Sequence, residues 1–592
     1  MEEKKLTGYP SIDKPWLKYY SEEAQNVRFP KMNMKQYLYE RNAERLDFIA
    51  LNYYGNRITF RELLAKIDEA QISFSKMGIK QNDVVSIAAP FLPETIISIY
   101  ALNALGAVAN LVDPRVPEDK LLNYLTGSNS KYLISVDLCY EKIKKIRIEA
   151  KIKKTILISP LNYLPTFTKC VATLSGKKKL KTLDNDFYYW ESIIQSRRNE
   201  RIPSAPYKEN TPAIIIYTSG TSGEPKGAIA SNESFNNIAC SQSFSLCDTK
   251  PGDKFLLIMP PFIAYGLAIG MHGQLCRGQE LIMIPTFNID NQQTLLGNLV
   301  SKYKPQTIMG VPAFMVDLIK HPKIQKMDCS FLKTVIVGGD SMVPTAEMDV
   351  NTFLSEHNST ARICKGWGLT EVNSAFSYTK STSCNEIGSV GIPIIGNNIK
   401  VVKPVCLDDI DFDSLTELPY DETGELFINS KMSIIDYLNN PEESARVFFT
   451  SKETGKRWIR TKDLGRVTKD GIIYIEGRMK RIIIRPDGHN ISPFAIENIV
   501  NSFECVEGCA VIGRKKEGQL HGAYAVAVVQ LKTDLNEDKN IIMAQIRSEV
   551  ESKLPPRDVP SEYCVVDELP LTPIGKIDYR ALEKQAEKMS KK

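Results

Sequence analysis

The sequence predicts an α/β protein with parallel sheets in its larger part and a compact α+β segment towards its end. Short β-branched runs alternate with 3.6-period segments over most of the chain, the pattern of parallel strands covered by helices. After Gly424 the strand-like runs crowd together in an antiparallel pattern. A length of 592 residues, at roughly 150 per domain, requires several structural units.

Taken in order, residues 1–33 are polar and aromatic, carry Pro10, Pro15 and Pro30, and read as an extended N-terminal arm. A large domain is expected over 34–478. Ile58-Thr59-Phe60-Arg61-Glu62 has the pattern of a strand end followed by a helix start, and 84–88 is a β-branched strand. A mostly apolar run over 105–112 ends at Asp113-Pro114. Further buried strands are expected at 155–158, 213–218, 256–259, 281–284, 307–309 and 334–337. Antiparallel strands are expected at 425–429, 458–461, 472–475 and 482–484. The boundary falls at Gly477-Arg478-Met479-Lys480, where a glycine followed by charges between two strand-like runs suits a hinge. Residues 479–592 then form the small C-terminal domain.

Composition excludes several classes. Hydrophobic residues make up 43% and charged residues 24%, enough apolar surface for a large core. A net charge of +5, from 75 basic and 70 acidic residues, gives no sign of nucleic-acid binding. No run approaches the roughly 20 apolar residues that span a membrane. Met1-Glu2-Glu3-Lys4-Lys5 has no apolar stretch behind it, so no secretory signal is expected. The 12 cysteines are scattered, and read as reduced, mostly buried thiols of a cytoplasmic protein. The five histidines form no HExxH pattern, so no dedicated zinc site is expected. Residues 161–181 combine Leu164, Phe167, Val171 and Leu174 with Lys177-Lys178-Lys179 and Lys181. Two readings stay open: a basic amphipathic stretch in weak, peripheral contact with a membrane surface, or a solvated insertion with a basic tip.

The most informative stretch is Tyr217-Thr218-Ser219-Gly220-Thr221-Ser222-Gly223-Glu224-Pro225-Lys226-Gly227. It leaves the apolar run Ile214-Ile215-Ile216, and its glycines let backbone N–H groups approach an anion. Hydroxyls and Lys226 complete a phosphate cradle. It is not a GxxxxGK[ST] loop, because Gly227 follows Lys226 and the glycine spacing differs. This loop resembles the signature of the acyl-adenylate-forming superfamily, which includes acyl-CoA synthetases, aryl-CoA ligases, peptide-synthetase adenylation domains and firefly-type luciferases.

Further motifs follow in the superfamily's order. Gly338-Gly339-Asp340 resembles the turn lining the adenine and acyl pocket, which implies nucleotide contacts from Gly339 and Asp340. In Gly366-Trp367-Gly368-Leu369-Thr370-Glu371, Trp367 can stack on adenine, Thr370 can bond the α-phosphate and Glu371 can hold Mg2+. Thr461-Lys462-Asp463-Leu464-Gly465 resembles a TGDLG motif, with Asp463 implied as the ribose acceptor and Lys462 where glycine is usual. Gly477-Arg478 resembles a GR pair whose arginine contacts ribose or phosphate, and Lys480 stands at the hinge position. Gly488 matches a glycine near the thioester site, and Lys576, in Leu571-Thr572-Pro573-Ile574-Gly575-Lys576, matches the catalytic lysine. The resemblance implies a large domain of two related α/β sheets plus a small β-barrel-like part. A small, mobile α+β domain then closes over the site and rotates between adenylation and thioester formation.

Pro260-Pro261-Phe262-Ile263-Ala264-Tyr265-Gly266 resembles the acyl-pocket motif, and Met309 and Gly310 with Val311 and Pro312 are expected to line the same pocket. Amino-acid-activating members carry Asp near Ile263, and a buried ammonium facing isoleucine would be unpaired. An apolar fatty or aryl acid is therefore expected. Asn232 stands where many members have His. With no fused carrier domain read after Leu582, the expected acceptor is coenzyme A. The resemblance thus implies an ATP- and Mg2+-dependent acid–thiol ligase. The alternatives are an acyl-AMP ligase loading a separate acyl carrier protein, and a non-catalytic nucleotide- or acyl-adenylate-binding protein.

Overall fold

The computed structural model describes residues 6–589 except 167–182, 195–199, 219–224, 245–248, 286–291, 381–382, 406–409, 488, 516–521, 533–534, 536 and 572–576. Two large mixed sheets dominate. In one, Pro212–Tyr217, Val108–Val112, Val84–Ala88, Tyr132–Val136, Lys154–Ile158 and Phe187–Tyr189 run parallel. Gly227–Ser231 and then Asp436–Tyr437 are added antiparallel at its edge. In the other, Ile363–Trp367, Thr334–Val337, Thr307–Gly310, Lys254–Leu257, Glu280–Met283 and Ile49–Tyr53 run parallel between antiparallel edges. Apolar residues fill both faces of these strands, as parallel sheets require.

A five-stranded antiparallel sheet follows, built from Asn398–Val402, Gly424–Asn429, Phe448–Thr450, Arg457–Val467 and Ile473–Arg478. One apolar core joins all three sheets: Val85, Ile87 and Leu111 meet Phe255, Leu281 and Met309, and Ile399, Leu426 and Ile459. The C-terminal segment has its own core, with Ile496, Val511, Ala527 and Ile546 packed between helices Pro493–Val500 and Lys539–Lys553 and the strands Val506–Arg514 and Tyr524–Leu531. These layers give the mixed α/β architecture with a small α+β end that the motifs implied.

Three differences have clear causes. The apolar run over 105–112 is part helix: Pro93–Leu105 is helical, and Gly106, at φ 69°, ends it before the strand starts at Val108. The strand expected at 458–461 extends to Val467, because a bulge absorbs an irregularity in its middle. The arm expected to be extended carries short helical turns at Pro10–Asp13, Pro15–Tyr19 and Glu22–Gln25. It is strapped down: Ser11 Oγ donates to Glu417 at 2.8 Å, the Tyr20 and Tyr378 hydroxyls lie 3.1 Å apart, Lys18 pairs with Asp470, and Trp16 is buried.

Of the proposed amphipathic stretch, Leu164 packs against the main core, and Phe167, Val171, Leu174 and the lysines lie outside the described residues. No described helix is long and apolar enough to cross a membrane. Nine described cysteines are free thiols, five of them buried.

Candidate active site

The stretch expected to form a phosphate loop joins two strands whose ends are bonded to each other. Tyr217 lies opposite Gly227 in the antiparallel pair. Thr218 N–H donates to the Lys226 carbonyl at 2.9 Å, and Lys226 N–H donates back to Thr218 Oγ1 at 3.0 Å. Ser219, Gly220, Thr221, Ser222 and Gly223 lie outside the described residues. The Lys226 ammonium pairs with Glu443 and stands 5.4 Å from the centre of the Tyr437 ring.

The parallel strands of the second sheet bring their carboxyl ends together, the usual place for a ligand in an α/β sheet. Met309 and Gly310 close one strand, Gly338, Gly339 and Asp340 follow the next, and Trp367 closes the third. Gly338 N–H donates to the Gly310 carbonyl at 3.2 Å, and the Tyr265 hydroxyl donates to the same carbonyl at 3.3 Å. Asp340 is exposed, and its carboxylate accepts from Ser341 N–H at 2.9 Å. Tyr265 begins a π-helix, Tyr265–Gly273, of a kind often found at functional sites. Gly266 has no room for a side chain, since a Cβ there would lie 2.3 Å from the Pro260 carbonyl oxygen. Phe262, Ile263 and Tyr265 are partly exposed, whereas Met309 is fully buried beneath the π-helix. Arg115, which no sequence motif marks, joins this region. Its guanidinium, fixed to Asp113 at 2.8 Å, lies 5.7 Å from the Phe262 ring.

Asp463 comes to this edge from the antiparallel sheet. Lys462 has φ 59°, the left-handed region that glycine tolerates best, which gives a physical reason for the glycine usual at this place. The resulting bulge turns Asp463 so that its Oδ2 accepts from Trp367 Nε1–H at 2.9 Å. Arg478, its cross-strand neighbour, brings Nε to 2.7 Å from Oδ1, but off the line of a hydrogen bond. Asp463 is 2% exposed, and burial pushes its carboxyl above the ordinary value against the pull of Arg478 and Trp367. Oδ1 is thus left with a charge partner and an open lone pair, as an acceptor for a hydroxyl needs.

Thr370 and Glu371 sit in a 3-10 turn, Thr370–Val372, just beyond Trp367. The turn is followed by Asn373 at φ 55° and Ser374 at φ 118°, two strained non-glycine residues in a row. The Tyr437 hydroxyl donates to Glu371 Oε1, and burial followed by the charge of Glu371 keeps that phenol protonated. No cluster of three or more metal-ligating side chains occurs among the described residues. A single open carboxylate suits Mg2+, which binds through one or two carboxylates together with substrate phosphates and water.

The AMP-binding enzyme family matches residues 38–438, and the AMP-binding enzyme C-terminal domain matches residues 495–576. The chain belongs to the AMP-binding enzyme family. Among curated relatives, a long-chain-fatty-acid–CoA ligase of Bacillus subtilis (strain 168) is 27% identical, over 97% of this chain and 98% of its own. Among solved structures, ATP-bound MatB from Rhodopseudomonas palustris superposes with a TM-score of 0.76 at 19% identity, covering 94% of this chain and all of that one. The anthranilate CoA ligase AuaEII in complex with anthranoyl-AMP gives 0.78 at 19% identity, over 96% of this chain and all of that one. At these identities the two structures establish the AMP-binding enzyme's fold alone.

In this AMP-binding enzyme the remaining expected residues are dispersed. Lys480, of which the backbone is described, lies in the 3-10 turn Met479–Arg481 that links the antiparallel sheet to Ile483–Ile484. Gly488 and Lys576 lie outside the described residues. Asn232 accepts from Asn103 Nδ2–H at 2.7 Å and from Met34 N–H at 3.1 Å, tying the start of the large domain to two of its helices. Tyr437 and Glu443 also belong to the site, and no motif marks them in the sequence. Their signal was faint, a lone Asp-Tyr pair before Asn-Asn-Pro-Glu-Glu.

Proposed function

We propose that the protein is an ATP-dependent acid–thiol ligase that joins an apolar carboxylic acid to coenzyme A through an acyl-AMP. The observation that carries this reading is the meeting of Trp367, Asp463 and Arg478 at the same strand ends as Thr370 and Glu371. A nucleoside would present its ribose hydroxyls to Asp463 and its base to Trp367, with its phosphates directed towards Thr218 and Lys226. Mg2+, held by Glu371 and the phosphates, would neutralise charge. The substrate carboxylate oxygen attacks the α-phosphorus as the bond to pyrophosphate breaks, a displacement governed by positioning and charge. Lys576 supplies a cation as charge shifts between carboxylate and phosphate. The C-terminal domain then turns about Lys480, and the CoA thiol, losing its proton, displaces AMP from the acyl carbon.

An apolar fatty or aryl acid is favoured by Phe262 and Ile263, which are partly exposed and offer no anion to a substrate ammonium. The bacillary relative, named for long-chain fatty acids, supports the same choice.

The test is carboxylate-dependent ATP–pyrophosphate exchange with fatty, aryl and amino acids, followed by CoA-dependent AMP release. Exchange with one apolar class, lost in Lys576→Ala, is expected. Exchange with amino acids alone would overturn the substrate class. Exchange without CoA-dependent AMP release would point to a carrier-protein acceptor.

A further inference from the structure

Residues 436–443 pass directly beside Lys226 and the strand Gly227–Ser231. The strand Asp436–Tyr437 pairs antiparallel with Gly227–Ser231, placing Tyr437 opposite Ala228, and Leu438 N–H donates to the Gly227 carbonyl at 2.7 Å. This register sets Tyr437 next to Lys226. One buried side chain therefore meets both ends of the candidate chemistry. Its hydroxyl donates to Glu371, and its ring faces the Lys226 ammonium at 5.4 Å. The helix Pro441–Val447 starts at once, with Asn440 capping Glu443 N–H at 3.1 Å. That places the Glu443 carboxylate on Lys226, with Arg446 3.7 Å from its other oxygen.

We propose that Tyr437 is a positioning residue for the metal-binding carboxylate of Glu371, and that Glu443 is the counter-ion Lys226 must leave when it meets a phosphate. The inference rests on reading Glu371 and Lys226 as the groups that face Mg2+ and ATP. A donated O–H occupies one oxygen of Glu371 and restricts the carboxylate's rotation, leaving the other oxygen for a cation. Partners of metal-binding groups act in this way, and their loss costs about 10- to 100-fold in metal affinity. Lys226, meanwhile, is held by a single carboxylate and an aromatic face. A polyphosphate offers more charge than Glu443 and displaces it, while Tyr437 keeps the lysine near the loop.

The two roles have opposite signs, which separates them from a structural one. Tyr437→Phe keeps the ring and removes only the O–H, and Glu443→Gln keeps the shape and removes the charge. Two quantities are measured on the full chain: affinity for α,β-methylene-ATP in EDTA by calorimetry, and Mn2+ uptake in the presence of the same analogue by electron paramagnetic resonance. Tyr437→Phe is expected to weaken Mn2+ binding about tenfold, with the metal-free affinity unchanged. Glu443→Gln is expected to tighten metal-free binding by up to about fivefold, the scale of one partly exposed ion pair. Unchanged Mn2+ binding in Tyr437→Phe, an equal loss in both measurements, or weaker analogue binding in Glu443→Gln would overturn the proposal. Failure of the unaltered protein to bind the analogue at all would overturn the reading of the site itself, and the proposal with it.

Discussion

Trp367 and Asp463 come from different sheets and are joined by a 2.9 Å hydrogen bond from the indole N–H to the carboxylate. The aromatic ring expected to meet the adenine is therefore tied to the acid expected to meet the ribose. Trp367→Phe keeps a stacking surface and deletes the donor. A hydrogen bond to a charged group contributes about 1.5–3 kcal/mol to stability, so the variant should lose about that much in denaturant unfolding and bind ATP more weakly. In an Asp463→Asn background the same change should cost far less, and equal costs in both backgrounds would show that the two residues act independently.

Lys462 pays a conformational penalty at φ 59°. The left-handed region costs a non-glycine residue about 1–2 kcal/mol, against about 0.5–1 kcal/mol for the extra unfolded-state freedom of glycine. Lys462→Gly should therefore raise stability by about 0.5–1 kcal/mol in urea unfolding, from the difference of those terms. A lower midpoint in the glycine variant would refute the strain.

Beneath the site, Lys365 and Glu347 form an ion pair with side chains only 4% and 1% exposed. Lys365 Nζ also donates to the Glu386 carbonyl at 2.7 Å, and Glu347 accepts from Gly388 N–H at 3.2 Å. Removing one charge leaves the other buried, so Lys365→Met should destabilise the fold by about 3–5 kcal/mol. Adding Glu347→Leu should recover much of that loss. Denaturant unfolding of the single and double variants reads both effects.

Two buried groups pull the pH response in opposite directions. Burial raises the Glu94 carboxyl to about 8 from 4.5, and lowers His272 to about 3 from 6.5. His272 stays neutral, accepting from the Tyr100 hydroxyl at 2.9 Å and donating to Asn236 Oδ1 at 3.1 Å. Unfolding releases the Glu94 proton between pH 4.5 and 8, so that contribution to stability is complete below 4.5 and is lost as pH rises to 8. Unfolding protonates His272 between pH 3 and 6.5, so its contribution is lost as pH falls through that window. The two slopes oppose each other up to pH 6.5, and above it only Glu94 of the pair still contributes. Stability should fall by up to about 2 kcal/mol from pH 6.5 to 8, at about 1.4 kcal/mol per unit. Glu94→Gln should abolish that decline, and a persistent slope in the variant would assign it elsewhere.

The buried parallel strands were legible because they are unbroken apolar runs. The runs at 84–88 and 334–337 match their strands end to end. Ile49–Tyr53 was hidden by Asn52, a polar residue in mid-strand that is tolerated because it donates to Glu280 at 2.6 Å. Two-residue strands such as Asp436–Tyr437 have no period to read. The motif residues of the site were visible as local strings, from the phosphate loop to Asp463. Tyr437, Glu443 and Arg115 were not, because what distinguishes them is tertiary: they gain meaning only from Glu371, Lys226 and Phe262, which lie far along the chain.

The strap formed by the first residues has a consequence for the order in which the molecule is made. Lys18 leaves the ribosome long before Asp470, its partner 452 residues later. At roughly 5–20 residues per second, translation leaves that partner missing for about 25–90 s. Trp16, buried in the finished protein against Gly471, lacks that cover for the same interval. Residues 10–25 therefore dock only after the distant strands and loops that hold them have been made, and until then they are open to chaperones, proteases or a wrong partner.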